Sequence, residues 1–246
     1  MVSRVKWALP AGVKTIGTLH NQKRNVQAFR KLDHAIGVSK ALSKDINRDN
    51  CTTVYHGLKT ELWQDELPTV KRNNRLLMLA VGRLVEAKGF DLLLSAWTNV
   101  DADLLIVGDG PDKELLENQI EKLGLEGKVT LQGRVENVPG YMKAAGGVVV
   151  SSRREGFSYV VAEALLCRCP VVSTDVPVAN EVLDKSLIMG TDPRSISDTL
   201  CRLIDDIEAW RRQCESAFEF ALDEFVFEKM LEKTERLYFD LLDARH

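Results

Sequence analysis

Short apolar runs alternate with amphipathic helical segments along almost the whole chain. The strand candidates are apolar on both faces and bounded by Gly, Asp, Asn or Pro: 14–19, 34–38, 51–55, 75–81, 103–108, 128–132, 147–152, 170–174 and 186–190. Strands of this kind are typical of buried parallel sheets, and helical segments such as 91–100 and 113–123 lie between them. The pattern predicts an α/β fold, in which ligands bind beyond the carboxyl ends of the strands.

A polar, charged and proline-containing segment, 57–75, interrupts this alternation. Such a composition predicts a linker or the entry to a second domain. From Leu76 onward the strand candidates make a complete Rossmann-like unit, whereas those before Gly57 make only part of one. We therefore expect a partial N-terminal domain over 1–57, a linker over 58–74, a complete α/β domain over 75–224 and a final helix over 225–246.

Composition favours an ordinary soluble protein without a nucleic-acid partner. The 246 residues are 45% hydrophobic and 28% charged, with a net charge of −3. No apolar run reaches the roughly 18–20 residues that a membrane span needs. The five cysteines are scattered, which predicts free thiols in a reducing, cytoplasmic setting. The basic cluster at 21–31 is either a solvated helix face or a patch for a membrane or an anionic acceptor.

Two cations follow the first strand of the second domain. In "VGRLVEAKGF", Gly82 permits a tight turn, and Arg83 and Lys88 then lie near the carboxyl end of the strand. With helix dipoles pointing into the same crevice, these side chains would attract a diphosphate. Taken alone, two cations near a glycine are more often surface charges, so the interpretation depends on the segments downstream.

Two further strand ends carry glycine. "LIVGDGPDK" has Gly108 and Gly110, but Lys113 replaces the third glycine of a dinucleotide fingerprint, and the chain has no P-loop. We therefore predict a turn into the next helix, and disfavour dehydrogenases and P-loop NTPases. After the following strand, backbone near Arg134 and Val135 either meets the edge of a base or forms a plain loop.

Two glutamates lie in the strand–turn–helix segment "EGFSYVVAE". Glu155 falls in the turn and Glu163 inside the helix, where Ser158 is a suitable N-cap and the amides of 156–159 can hold a phosphate. A carboxylate beside a phosphate is repelled unless it binds hydroxyl groups. The two glutamates are therefore predicted to bind sugar hydroxyls on one side of the phosphate and ribose hydroxyls on the other. Glu163 alone would be an exposed helix residue, but its neighbours are apolar. A glycosidase also uses two carboxylates, but it needs no phosphate cradle and leaves the upstream cations unexplained.

Together these motifs resemble those of the retaining GT-B glycosyltransferases of family 4. "EGFSYVVAE" matches the E-x7-E motif, and "VGRLVEAKGFDLLL", "LLIVGDGP", "VTLQGRV" and "VVSTDVPVANEVL" match further landmarks in the same order. The resemblance implies a GT-B fold, with a nucleotide-sugar-binding domain over 75–224 and a partial acceptor-side domain over 1–57. It also implies that the helix at 225–246 packs back toward the N-terminal part.

The resemblance implies a role for each candidate residue. The implied donor-binding residues are Gly82, Arg83, Lys88, Arg134, Val135, Phe157, Ser158, Tyr159 and Glu163, and the implied catalytic residues are Glu155 and His20. Arg83 and Lys88 would neutralise the diphosphate in place of a metal, and the amides at 157–159 would hold its distal phosphate. Backbone at 134–135 would meet the base, while Glu155 would hold the transferred sugar and Glu163 the ribose. No protein nucleophile is implied.

Upstream, "TIGTLHN" resembles the T-x-H element of the family, which implies that His20 lies near the donor sugar and the leaving phosphate. From the residues alone, a plain loop histidine fits equally well. Where many relatives have a glycine-containing P-x-G-x-x-E, this chain has "PVANE" at 177–181, so no role is implied for Glu181. The early strands and the glycine-rich acceptor loop that precede "TIGTLHN" in the family are not in this sequence.

The implied function is transfer of a sugar, with retention of configuration, from a UDP- or GDP-linked donor to a glycan or a lipid-linked acceptor. This activity belongs to polysaccharide or lipopolysaccharide biosynthesis in the cytoplasm, with peripheral contact at the inner face of the membrane. No metal and no cofactor besides the donor is expected. The alternative is a truncated, catalytically impaired fragment that still binds a nucleoside diphosphate.

Overall fold

The computed structural model describes residues 13–23, 25–63, 66–68 and 75–243. These residues form two compact units. The first contains the described residues up to Lys59, together with Glu155–Phe157 and the chain from Asp223 onward; the second contains Thr60–Arg154 and Ser158–Leu222. The linker expected at 58–74 falls partly on 64–65 and 69–74, which lie outside the described residues.

The first unit is built on a small parallel sheet. Its elements are β1 (Ile16–Leu19), α1 (Gln27–Arg30), β2 (His34–Gly37), α2 (Lys40–Ile46), β3 (Cys51–Thr53) and the final helix α11 (Phe227–Asp243). The strands lie in the order β1-β2-β3 and all pairs are parallel. The described strands confirm the parallel α/β pattern predicted for this part of the chain.

Helix α11 completes the core of this unit. Leu237 is buried against Ile36 and Val54 of the sheet region, with Met230 and Leu241 packed around them. Backbone hydrogen bonds fix the start of the helix: the amide of Leu58 donates to the carbonyl of Phe225 (2.8 Å), and the amide of Phe227 donates to the carbonyl of Leu58 (3.1 Å). The last helix of the chain thus supplies apolar cover that this short sheet requires.

The second unit contains a larger parallel sheet. Its strands and helices are β4 (Leu77–Val81), α3 (Phe90–Trp97), β5 (Asp103–Val107), α4 (Lys113–Lys122), β6 (Val129–Gly133), α5 (Val138–Ala144), β7 (Gly147–Val150), α6 (Tyr159–Leu166), β8 (Val171–Thr174), α7 (Ala179–Val182), β9 (Ile188–Met189), α8 (Pro193–Asp205), α9 (Ile207–Gln213) and α10 (Glu215–Glu224). The strand order is β6-β5-β4-β7-β8-β9, and every pair is parallel. The chain adds strands to one side of β4 as far as β6 and then to the other side from β7 onward. The point between β4 and β7 is therefore the topological switch point, where sheets of this kind bind ligands.

The residues of β5, β7 and β8 are buried throughout, as their unbroken apolar patterns predict. Trp97 and Trp210 are fully buried, and the indole nitrogen of Trp97 donates to the carbonyl of Ala102 (2.8 Å). The strand predicted at 186–190 is shorter than expected: Asp184 accepts from the amide of Ser186 and starts a 3-10 turn that leaves Ile188–Met189 as strand. No helix among the described residues is both long and apolar enough to cross a membrane.

Candidate functional site

Glycines join the carboxyl ends of three neighbouring strands in the second unit. The amide of Gly82 donates to the carbonyl of Val107 (3.0 Å), and the amide of Gly108 donates to the carbonyl of Gly133 (2.8 Å). A Cβ at position 108 would lie 1.9 Å from the carbonyl oxygen of Gly82, so only glycine permits this approach. The predicted turn at 109–111 follows, and α4 begins after Asp112. The glycines that did not fit a dinucleotide fingerprint therefore allow the loops after β4 and β5 to pack closely.

The loop after β4 carries Lys88 to the switch point. The methylenes of Lys88 lie against Gly82, where an added Cβ would be 3.3 Å from Cδ of the lysine. Gly89 adopts a φ of 66° and packs on the loop after β7, because a Cβ there would lie 2.1 Å from the carbonyl oxygen of Ser151. The hydroxyl of Ser151 donates to the carbonyl of Lys88 (2.9 Å). Backbone packing thus holds Lys88 between the ends of β4 and β7.

Arg83 is exposed on this loop and makes no ion pair with another described residue. The carboxylate of Asp91, on the helix that follows this loop, pairs with Arg153, whose guanidinium donates two hydrogen bonds of 2.6 Å to it. These hydrogen bonds hold the pKa of Asp91 below its usual range. The same arginine donates to the carbonyl of Glu86 (2.7 Å) and so ties the loop after β7 to the loop after β4. The positive charge of Arg83 remains available to a ligand.

Arg134 and Val135 follow β6 at the same edge of the sheet. Gly133 has a φ of 78°, in the left-handed region that glycine favours, and this turns the chain away from the strand. Arg134 is exposed and Val135 is half-buried. Asn137 then begins α5 by accepting from the amide of Gly140 (2.9 Å). The two residues therefore lie on a short loop next to the end of β5.

Ser158 precedes α6, as predicted, but its side chain does not cap the helix. The Ser158 hydroxyl accepts no hydrogen bond from the first turn, and it is buried without a hydrogen-bond partner among the described residues. A buried hydroxyl without a partner typically costs about 1–3 kcal/mol. The first amides of any helix lack an intrahelical acceptor, so the start of α6 is a suitable place for an anion. An unpaired hydroxyl beside helix-start amides fits a phosphate better than it fits an empty cap.

Glu163 lies on α6, one turn after Tyr159. Its side chain is half-buried among Ala162, Ala164 and other apolar residues, and no hydrogen bond or ion pair joins its carboxylate to another described residue. Burial raises its pKa to about 7. The pKa of Tyr159 is also raised, first by burial and then by the negative charge of Glu163. The chain thus presents an uncompensated carboxyl group that hydroxyl donors from a ligand would satisfy.

Glu155, Phe157 and His20 all belong to the first unit. Gly156 packs on the loop after β1, where a Cβ would lie 2.2 Å from the carbonyl oxygen of His20 and 2.6 Å from Cα of Asn21. Glu155 is half-buried, Phe157 is buried and His20 is exposed. The first unit therefore brings Glu155 and His20 to neighbouring backbone segments and also contains Phe157, while the other candidate residues belong to the second unit.

Sequence reasoning missed His56, which follows β3. Nε2 of His56 lies 3.4 Å from Nδ1 of His20, and its ring also packs at 89° against Phe157 with centroids 5.1 Å apart. Burial lowers the pKa of His56, and the charge of His20 lowers it further. The signal that could have found it is positional: His20 and His56 each follow a strand of one parallel sheet, and the carboxyl ends of such strands share an edge.

The loop after β8 departs from the family pattern at 177–181. Val178 is fully buried and has a φ of 75°, a conformation that β-branched residues rarely adopt. The loop lies beside the end of β7, because the hydroxyl of Thr174 donates to the carbonyl of Ser152 (2.5 Å). A valine therefore occupies a backbone conformation that glycine would adopt without this strain.

These features define an α/β protein of the Rossmann-like type, with cations and unpaired polar groups at the switch-point edge of its larger sheet. Residues 63–218 match the family model described as Glycosyl transferases group 1. The chain belongs to this family, and its fold matches that of the GT-B glycosyltransferases.

Individual relatives agree with this assignment. An uncharacterized glycosyltransferase of Methanocaldococcus jannaschii is 27% identical over 220 residues, which are 86% of this chain and 60% of that protein. The N-acetyl-alpha-D-glucosaminyl L-malate synthase of Bacillus anthracis is 31% identical over 149 residues, which are 59% of this chain and 39% of that protein. The structure of Anabaena HepE in complex with UDP has a TM-score of 0.80 at 20% identity, over 92% of this chain and 72% of that one. The chain thus spans less than two thirds of the length of the two sequence relatives.

Proposed function

We propose that this chain is a retaining GT-B glycosyltransferase of family 4, which transfers a sugar from a UDP- or GDP-linked donor to a glycan or a lipid-linked acceptor. The observation that carries the proposal lies at the start of α6: the hydroxyl of Ser158, just before the helix, is buried and the carboxylate of Glu163, within it, is half-buried, and neither has a hydrogen-bond partner among the described residues. Their chemistry matches the phosphate and the ribose hydroxyls of one nucleotide.

In this proposal the second unit holds the nucleotide. Arg83 and Lys88, at the end of β4, compensate the charge of the diphosphate and take the place of a metal ion. The distal phosphate accepts hydrogen bonds from Ser158 and from the amides at 157–159. Glu163 accepts from the ribose hydroxyls, and the short loop with Arg134 and Val135 meets the base, next to Gly82. This assigns 75–224 as the nucleotide-sugar-binding domain.

We assign Glu155 and His20 to the transferred sugar. Glu155 would accept hydrogen bonds from sugar hydroxyls, and His20 would donate toward the sugar or the departing phosphate. Departure of the nucleoside diphosphate is easier when the charge on its phosphates is already compensated, which is the role given to Arg83 and Lys88. Residues 1–57 would belong to the acceptor-side domain, and a lipid-linked acceptor would bring this cytoplasmic protein to the inner face of the membrane.

Calorimetry with UDP and GDP tests the nucleotide assignment. We expect one of the two to bind, and we expect Glu163→Ala and Arg83→Ala each to weaken binding by roughly 10- to 100-fold, which is what loss of a charged hydrogen bond costs. The matched controls are Glu121→Ala on α4 and Arg212→Ala on α9, which remove the same charges from exposed helix positions. Equal affinity of all four variants and the wild type, or no binding of either nucleotide, would contradict the proposal.

Release of UDP or GDP from the matching nucleotide-sugar distinguishes the enzyme from a fragment that only binds. Binding together with donor turnover supports transfer. Binding without turnover, in the presence of candidate glycan acceptors, supports the alternative of a catalytically impaired nucleoside-diphosphate-binding fragment. The anomeric configuration of the transferred sugar, read by proton NMR of the product, tests retention.

A further inference from the structure

We propose that His56 is a positioning residue, which holds the imidazole of His20 and fixes which of its nitrogens carries the hydrogen. The role of His20 toward the sugar rests on the proposed function, whereas the pairing rests on the geometry of the first unit. Nδ1 of His20 and Nε2 of His56 are 3.4 Å apart, while the ring centroids are 5.3 Å apart and the ring planes differ by 13°. The nitrogens therefore lie between the two rings, where one hydrogen can be shared.

The ring of His56 is fixed by aromatic packing. Its T-shaped contact with Phe157 belongs to a cluster in which Phe157, Tyr55 and Phe225 have centroids 5.3–6.5 Å apart. Phe157, Tyr55 and Phe225 are all buried, so the surface on which His56 rests is part of the core of the unit. A ring held in this way can orient a neighbour, because its own rotamer is already restricted.

His20 would otherwise be a mobile side chain. It is exposed and follows β1 directly, but its carbonyl oxygen packs against Gly156, where an added Cβ would lie only 2.2 Å away. Gly156 thus fixes the backbone of His20, and His56 holds the Nδ1 atom of its ring. The nitrogen that remains for a ligand is Nε2.

The charge state of the pair decides which ring donates the shared hydrogen. Burial and the charge of His20 both lower the pKa of His56, which favours the neutral form of His56. When both rings are neutral, Nε2–H of His56 can donate to Nδ1 of His20, which leaves the hydrogen of His20 on its outer Nε2; when His20 is charged, its Nδ1–H donates to Nε2 of the neutral His56, and its Nε2–H still faces outward. His20 then presents an N–H donor to a sugar hydroxyl or a phosphate oxygen. When both rings are protonated, two N–H groups face each other and the contact breaks.

The other titratable groups near the pair are few. Tyr55 precedes His56 in the chain, and Glu155 precedes the glycine that packs on His20. Lys59 follows at a distance of three residues, and its Nζ lies 4.4 Å from the ring centroid of Phe227. Of these groups, His20 is the one whose charge contributes to the lowered pKa of His56.

Nitrogen NMR of the histidine rings tests the pairing in the full chain, which contains four histidines. In the variant His20→Gln, we expect His56 to titrate at a higher pH than in the wild type, because a nearby positive charge has been removed. His34 is the internal control: its pKa is lowered by burial and by Arg48, and its Nε2 lies 2.9 Å from the hydroxyl of Thr52. An unchanged titration of His56, or an equal change at His34, would overturn the pairing, and an Nδ1–H tautomer at a neutral His20 would overturn the assignment of its hydrogen to Nε2.

Two substitutions at His56 test the positioning role. Phenylalanine keeps a ring to pack on Phe157 but offers no hydrogen bond, whereas glutamine keeps an N–H donor. With UDP-glucose and GDP-mannose as donor probes, we expect His56→Phe to lower kcat for donor cleavage by about 10- to 100-fold with little change in KM. We also expect the pH profile of His56→Phe to lose the limb due to the pair, and His56→Gln to recover most of kcat. Equal kcat values and pH profiles for wild type and His56→Phe would refute the role.

Calorimetry separates this inference from the proposed function. Both His56 variants should bind UDP or GDP within about twofold of the wild type, because the side chains proposed to bind the nucleotide belong to the second unit and Phe157, in the first unit, would contribute only its backbone amide. If the wild type binds neither nucleotide, the proposed function fails, while the NMR titration still decides the pairing. If it binds and His56 does not respond to His20→Gln, the inference fails alone.

Discussion

Substitution of Glu163 by glutamine should stabilise the protein at alkaline pH and have a much smaller effect on its stability at acid pH. The pKa of Glu163 is raised from 4.5 to about 7 by burial, and no described residue provides a compensating hydrogen bond. Between these pH values the folded protein binds more protons than the unfolded chain, so stability falls as pH rises from 4.5 to about 7. Above pH 7 the full free-energy cost of burying the ionised carboxylate of Glu163 is present.

The magnitude follows from the difference in pKa. At about 1.4 kcal/mol per pKa unit, a difference of about 2.5 units corresponds to about 3 kcal/mol of lost stability at pH 8. Glutamine has the same shape and no charge, so Glu163→Gln recovers this amount at pH 8. At pH 5, just above the unfolded pKa of 4.5, only about 0.8 kcal/mol of this cost is present, so the gain from glutamine should be about a quarter of that at pH 8. For a chain of this size, the gain at pH 8 is an increase in Tm of roughly 6–12 °C.

Thermal unfolding followed by circular dichroism at pH 5 and pH 8 measures this difference directly. Glu121→Gln, at an exposed position of α4, is the control and should move Tm by no more than about 1–2 °C at either pH. The reasoning is refuted if Glu163→Gln changes Tm equally at both pH values or lowers it at pH 8, because either result means that the carboxylate is compensated in the free protein. Added nucleotide should stabilise the wild type more than Glu163→Gln, since only the wild type offers the carboxylate.

Three further substitutions test particular backbone and side-chain features. Ser158→Ala should raise Tm by about 2–4 °C, because it removes an unpaired buried hydroxyl worth about 1 kcal/mol, and should weaken nucleotide binding about fivefold by calorimetry. Gly108→Ala should cost more than about 3 kcal/mol in urea unfolding, because its Cβ would lie 1.9 Å from the oxygen of Gly82; Gly124→Ala, which meets open space, should cost only about 1–2 kcal/mol. Val178→Gly should be at least as stable as Val178→Ala, because both lose buried methyl groups but only glycine relieves a φ of 75°, worth about 1–3 kcal/mol. A larger loss for glycine would mean that the loop does not strain Val178.

Most of the fold could be predicted from the sequence because parallel strands are short, apolar on both faces and flanked by turn residues. The pattern of Leu104–Val107 is unbroken, and all its residues are buried. What pattern alone did not give is the order of strands within the sheet, since apolar periodicity contains no information about which strands are neighbours. His56 was missed for this reason: its contact with His20 depends on three strands lying side by side, and the two residues are 36 positions apart.

Ser158 shows a different limit of sequence reasoning. Serine before a helix is a frequent N-cap, and the sequence position was correct, but capping also requires that the side chain turn toward the first amides. Here the backbone at Ser158 has a φ of −83° and a ψ of 91°, and the hydroxyl makes no such bond. N-cap preferences describe the average helix start. At Ser158 the hydroxyl does not stabilise the helix, which fits a hydroxyl that is oriented for a ligand.

The unfavourable features of the second unit are concentrated where the proposed ligand binds. Ser158 and Glu163 follow β7 and Val178 follows β8, so an unpaired hydroxyl, an uncompensated carboxyl group and a strained valine all lie after two neighbouring strands. Selection for stability alone would remove the first two, because alanine at 158 or glutamine at 163 is available at little packing cost. Their persistence at one edge is therefore better explained by a ligand that the first two residues bind. The consequence is measurable: substitutions at Ser158 and Glu163 should increase stability and weaken nucleotide binding together, whereas stabilising substitutions elsewhere should leave binding unchanged.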